Sequence, residues 1–142
     1  SILYDMTVPQ TWNYEDIHIR AVYPFDIECF DDLNQDSIVL ELTIKDTKIL
    51  LMGDAGYDAE NILLKNNLLY KFDILKTGHH CSRSATGEMF LKTVYPTIAI
   101  CSCGEGNKFG HPHSETLQKF KNQNVQYLVT YESGNIVFEF NK

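Results

Sequence analysis

Every strongly apolar run in this chain is short, and each ends in a polar break. The runs SIVLELTI (37–44), KILLM (48–52), FDILK (72–76) and TIAIC (97–101) are five to eight residues long and rich in Ile, Leu and Val. Runs of that length and composition fit strands, whereas helices need ten or more residues. The segments between them carry helical periodicity, so the chain reads as an alternating α/β fold with a strand-rich start and finish. The longest purely apolar runs, Ile49 to Met52 and Ile98 to Cys101, fall far short of the roughly 20 residues that span a bilayer. No transmembrane segment is predicted.

Strand Ile17–Tyr23 alternates and is closed by Pro24. Residues 25–36, with four Asp and one Glu, read as an exposed loop. Ser37–Ile44 and Lys48–Met52 flank Lys45-Asp46-Thr47, a hairpin with a three-residue connection. Gly53-Asp54-Ala55-Gly56 then breaks the apolar run. A helix over 58–69 places Ile62, Leu63, Leu64, Leu68 and Leu69 on one face. Strand Phe72–Lys76 exits into Thr77-Gly78-His79-His80-Cys81-Ser82. The next helix starts near Thr86, packs Met89, Phe90 and Val94, and stops before Pro96. Strand Thr97–Cys101 leads to a loop from Gly104 to Pro112, and Ser114 caps a helix running through about Lys121. The chain closes with strand Gln126–Thr130, a turn at 132–135, and a last apolar segment, Ile136–Phe140.

With 142 residues, 44% hydrophobic and 22% charged, the chain is sized and composed for one globular domain with one core. The net charge of −7 is uneven: residues 1–60 hold thirteen acidic against three basic side chains, and residues 61–142 hold six against nine. A long basic groove for duplex nucleic acid is therefore not written into it, and a polyanion would be met through a metal or a few local cations. The chain begins at Ser1 without a signal-like start and reads as a piece of a longer protein. Its cysteines are Cys29, Cys81, Cys101 and Cys103. On one strand Cys101 and Cys103 point to the same face, a poor geometry for a mutual bridge, and no paired CxxC spacing suggests a zinc site. Reduced core thiols are expected, mildly favouring a reducing compartment.

Three strand exits carry the unusual polar residues: Asp54, the doublet His79-His80, and His111 with His113. In α/β folds the carboxyl ends of parallel strands share one edge, so these residues can converge there. A carboxylate with neutral imidazoles suits zinc, manganese or iron; it equally suits acid/base work without metal. Each has a plainer reading: Asp54 as a turn or helix-capping residue, His79 and His80 as solvated loop residues, and His111 as a loop histidine. His113 reads as a helix-entry residue and His18 as structural. Ser82 and Ser84, without a GxSxG elbow, read as anion-contacting hydroxyls.

Four segments, NQDS (34–37) leading into SIVLEL, KILLMGDAG (48–56), DILKTGHHCSRSA (73–85) and NKFGHPHSETLQKF (107–120), resemble the C-terminal half of a metallo-β-lactamase-fold hydrolase. The version most similar is that of ComEC-like DNA-uptake (competence) proteins and their stand-alone relatives. The resemblance covers residues 34–134 and implies half of an αββα sandwich, a mixed sheet with flanking helices. It implies that Asp54 bridges two metal ions, zinc or manganese, and that His79 or His80 ligates one of them while the other faces the substrate or supports the ligands. Asn107 and His111 match a loop with a substrate-binding or proton-donating role, and Ser82 and Ser84 are expected beside the substrate. Phosphodiester or nucleotide substrates are implied. A stand-alone relative would be cytoplasmic, and part of a DNA-uptake protein would be membrane-associated.

The sequence departs from that pattern twice. Cys81 stands where the family has the glycine of HHGS, a place suited to positive φ. The first metal motif, HxHxDH or HxDxDH, is absent, and one Asp with one His cannot hold a metal pair. The 142 residues alone are therefore expected to be inert, with the missing N-terminal half as their partner. An alternative is a non-catalytic α/β binding or assembly module with a degenerate site. Strands that would face the missing half expose apolar residues such as Ile38, Leu40 and Leu42 or their alternates, which predicts self-association, for example as a homodimer.

Overall fold

The computed structural model describes residues 9–24 and 33–140. Of the predicted 25–36 loop, residues 25–32 and with them Cys29 lie outside the described residues, while Leu33–Asp36 forms a turn of 3₁₀ helix. Strands β1 (Gln10–Tyr14), β2 (Ile17–Tyr23), β3 (Val39–Ile44) and β4 (Thr47–Leu51) form an antiparallel meander. After β4 the order is α1 (Tyr57–Lys65), β5 (Ile74–Lys76), α2 (Glu88–Val94), β6 (Ile98–Cys101), α3 (Ser114–Asn122), β7 (Gln126–Val129) and α4 (Thr130–Ser133). The seven strands make one mixed sheet in sequence order, parallel from β4 to β7.

Crossovers between parallel neighbours are right-handed, so three of them advancing in one direction place α1, α2 and α3 on one side of the sheet. Burial follows. The register partners Leu50, Leu75 and Ala99 are fully buried and share one apolar cluster with Ala59, Leu63, Phe90, Leu91, Val94 and Phe120. Their sequence neighbours Ile49, Leu51, Ile98 and Ile100 point the other way and are half-buried, as are Leu40 and Leu42; Ile38, just before β3, is exposed. The fold is α/β with a mixed sheet and flanking helices, as expected.

Several details differ from expectation. Strand β1 carries weak signals because it is a largely exposed edge. The β3–β4 connection is two residues, with Ile44 paired to Thr47 and Lys45 at φ 53°. Helix α1 ends at Lys65 because Asn67 turns left-handed, φ 54°, and the Leu68 and Asn67 N–H groups return to the Leu63 and Leu64 carbonyls. This closure caps the orphan carbonyls and carries Leu68 and Leu69 past the helix. In α2, Phe90 and Val94 are buried but Met89 is 64% exposed, and Leu91 fills the core instead. His113, not Ser114, occupies the cap position of α3.

Residues 136–140 form no strand. Lys45 Nζ donates to the Phe140 carbonyl, and Ile136 and Val137 line a cavity with Lys76 and Ile100. The segment thus lies over the half-buried sheet face, where no ladder is open to it. Cys81 and Cys101 are joined in a disulfide, contrary to the expected thiols. Spacing along the chain hides this pair. The exits of β5 and β6 are neighbours, which brings the two Cα atoms to 5.4 Å, inside the normal range for a bridge. The case for a reducing compartment goes with it. Cys103 is a free, half-buried thiol, its pKa raised by burial and then by Glu132.

Candidate metal centre at the carboxyl edge of the sheet

Strands β4, β5 and β6 run parallel, so the loops that follow them leave from one edge, and this edge gathers Asp54, His79, His80 and His111. The β4 exit turns tightly: Gly53 takes φ +56°, the Ala55 N–H returns to the Met52 carbonyl, and the Asp54 N–H donates to Ser37 Oγ at 3.1 Å. The β5 exit packs directly on it. A Cβ on Gly78 would land on the Ala55 carbonyl oxygen, so only glycine lets the two loops close.

The histidine doublet sits in a strained turn. His79, His80 and Cys81 take φ values of 45°, 54° and 63° in succession, each costing of order 1 kcal/mol or more for a residue with a Cβ. Cys81 thus keeps the positive φ that glycine serves in the resembling family. The surroundings hold the turn: the disulfide ties it to β6, the His113 N–H donates to the Cys81 carbonyl, and Thr116 Oγ1 donates to the Ser82 carbonyl at 2.9 Å.

The turn aims the two imidazoles differently. His80 Nδ1 lies 2.6 Å from the Ser102 carbonyl oxygen, and its Nε2 lies 3.2 Å from Asp54 Oδ1. A carbonyl only accepts, so Nδ1 carries a proton, and Nε2 of the neutral ring is a lone pair facing a carboxylate. Two such atoms at this distance require a cation between or beside them, either a second proton on the ring or a metal ion. Ligands of one tetrahedral zinc, bound at about 2.0 Å, stand about 3.3 Å apart. The pair therefore fits a shared divalent ion, with Ser102 fixing the ring as supporting groups do at such sites. His79 Nδ1 instead lies 3.4 Å from Ser84 Oγ, which in turn lies 3.0 Å from Ser82 Oγ.

His111 completes the group, with ring centroids 5.5 Å from His79 and 6.2 Å from His80. Burial lowers its pKa, and the neighbouring His113, His79 and His80 lower it further against Asp54. Asn107 braces the loop: its Oδ1 accepts the N–H groups of Phe109 and His111, and its amide donates to the carbonyls of Gly104 and His111. His113 Nδ1 accepts the Arg83 N–H, in keeping with a helix-entry role, and His18 pairs with Asn13 across β1 and β2. Lys76 Nζ donates to the Gly53 carbonyl; burial lowers its pKa and Asp54 opposes this. Among the described residues no three His, Cys, Asp or Glu side chains are placed to hold one ion. Ser37, Ser102, Lys76 and Phe109 were not anticipated here. Only Phe109 carried a sequence signal, an aromatic within a glycine-rich polar loop beside His111.

No family model matches the chain. It is 33% identical over 107 residues to ComE operon protein 3 of Bacillus subtilis, covering 75% of this chain and 14% of that protein. It is 29% identical over 134 residues to Recombination protein 2 of Haemophilus influenzae, covering 94% of this chain and 17% of that protein. It is also 28% identical over 131 residues to Competence protein ComA of Neisseria gonorrhoeae, covering 91% of this chain and 19% of that protein. The chain spans less than a fifth of the length of each of these homologues. No helix among the described residues is long and apolar enough to cross a membrane.

Proposed function

We propose that this chain is the C-terminal part of a metallo-β-lactamase-type domain in a competence protein, and that the complete domain is a metal-dependent hydrolase of phosphodiesters. One observation carries the reading: Nε2 of His80, oriented by Ser102 through Nδ1, faces Asp54 Oδ1 at 3.2 Å. The similarity to Competence protein ComA supports the biological setting, and nucleic acid is the phosphodiester that such a setting supplies.

In this reading Asp54 and His80 hold zinc or manganese, and the remaining ligands come from the part of the protein outside this sequence. Such ions, when bound, supply Lewis-acid stabilisation of charge at phosphorus and a lowered pKa for water. The chain's own residues bind and orient. His79, backed by Ser84 and Ser82, faces the substrate. His111, clustered with His79 and His80, takes the substrate-binding or proton-donating role in this reading. Asn107 keeps the His111 loop in position against the Gly104 carbonyl.

The test is Asp54→Ala in the intact protein. Loss of the partners of a metal ligand costs 10- to 100-fold, so loss of the ligand itself is expected to reduce turnover of a phosphodiester at least about 100-fold and to lower bound zinc or manganese. Unchanged metal content and turnover would instead favour the non-catalytic module.

A further inference from the structure

Phe109 projects beside the candidate centre with 64% of its surface exposed. Its ring lies 5.8 Å from that of His111 at an interplanar angle of 21°, and Lys108 Nζ sits 5.0 Å from its centroid. The loop bearing it contains three glycines, yet its backbone is held on both sides of Gly110. Asn107 Oδ1 accepts the Phe109 N–H at 3.2 Å and the His111 N–H at 3.0 Å, locking the residues on either side of Gly110 to one side chain. The ring lines a cleft of about 490 Å³ that also reaches His80.

An exposed aromatic on a mobile loop would need no explanation. Here the ring is stacked on a histidine of the site, carries a lysine ammonium over its plane, and lines a cleft shared with His80. A ligand matching all three has a flat π-face joined to an anion, which is the chemistry of a nucleotide. Stacking on an aromatic accepts any base, because every base has a π-face.

We propose that Phe109 is a stacking platform for a nucleobase next to the scissile phosphodiester, with Lys108 meeting the adjoining phosphate. This rests on the phosphodiester reading above for the identity of the ligand. The base must be unstacked on one face, so the subsite admits a strand end or a single strand, while a base stacked on both faces inside a duplex cannot enter it.

The test is equilibrium binding of an end-labelled oligothymidylate to the intact protein, followed by fluorescence anisotropy with EDTA present so that nothing is cleaved. A strand of abasic deoxyribose phosphates of the same length serves as the base-free probe. Phe109→Ala is expected to weaken oligothymidylate binding about 5- to 150-fold, the range for loss of one stacked base, to leave abasic binding unaltered, and to be rescued by Phe109→Trp. Equal affinity of Phe109→Ala and parent for oligothymidylate overturns the proposal, as does an equal loss with both probes. A lowered unfolding temperature of Phe109→Ala with unaltered binding also overturns it, since the ring would then pack against another part of the polypeptide. Because this readout needs no turnover, an intact protein that binds in this way but hydrolyses nothing would sink the hydrolase reading alone.

Discussion

Glu60 is buried in α1 to 1% exposure, behind the loop that carries Ser82 and Ser84. Its carboxylate accepts the Thr86 and Gly87 N–H groups at 2.5 and 2.7 Å, while Lys119 Nζ donates to the Thr86 carbonyl. Desolvation outweighs these contacts and raises its pKa to about 7. The folded chain then holds this proton more tightly than the unfolded chain. The contribution is present in full below about pH 4.5 and is lost as pH rises through about 7, an effect of about 3 kcal/mol. Glu60→Gln should flatten stability against pH across that window. It should also cost about 1–3 kcal/mol at low pH, because one of the two N–H donors faces an amide nitrogen. Urea titrations of parent and variant between pH 4.5 and 7.5 check both parts. An unchanged pH slope would place the titration elsewhere.

At the scale of elements, the site depends on holding a strained turn against two neighbours. Three successive left-handed residues, His79, His80 and Cys81, would relax if the chain were free to choose, and the Cys81–Cys101 bridge stops them. The bridge spans 20 residues, and closing a loop of that size stabilises a fold by about 3 kcal/mol. Reduction should therefore lower the stability of the chain by about that amount in denaturant titrations with and without dithiothreitol. The same treatment should loosen the contact of His80 with Ser102, because both ends of the bridge adjoin those residues. A loss below about 0.5 kcal/mol would show that packing alone holds the turn. The sequence pointed to the doublet and to a tight turn, but read Cys81 as a departure from a glycine rather than as a tether. The partner cysteine is distant along the chain and adjacent only across parallel strands.

For the whole molecule the decisive fact is that all three crossover helices lie on one face of the sheet. The opposite face presents Leu40, Leu42, Ile49, Leu51, Ile98 and Ile100, half-buried, beneath a C-terminal segment without ladder bonds. An apolar face left partly open in this way favours association. The 142-residue chain alone should self-associate, and Leu42→Lys should shift it toward monomer in size-exclusion chromatography with light scattering; a strictly monomeric parent would contradict this. Alternation of short apolar runs with helical segments determined the succession of strands and helices along the chain, the α/β class and the residues at the three exits, because period and length are local properties. Only the tertiary structure decided that His80, not His79, faces Asp54, that Cys81 meets Cys101, that Phe109 stands against His111, and that 136–140 cross a face instead of joining an edge. Each of these depends on where separate loops land once parallel strands bring their exits together, and no local periodicity encodes that meeting.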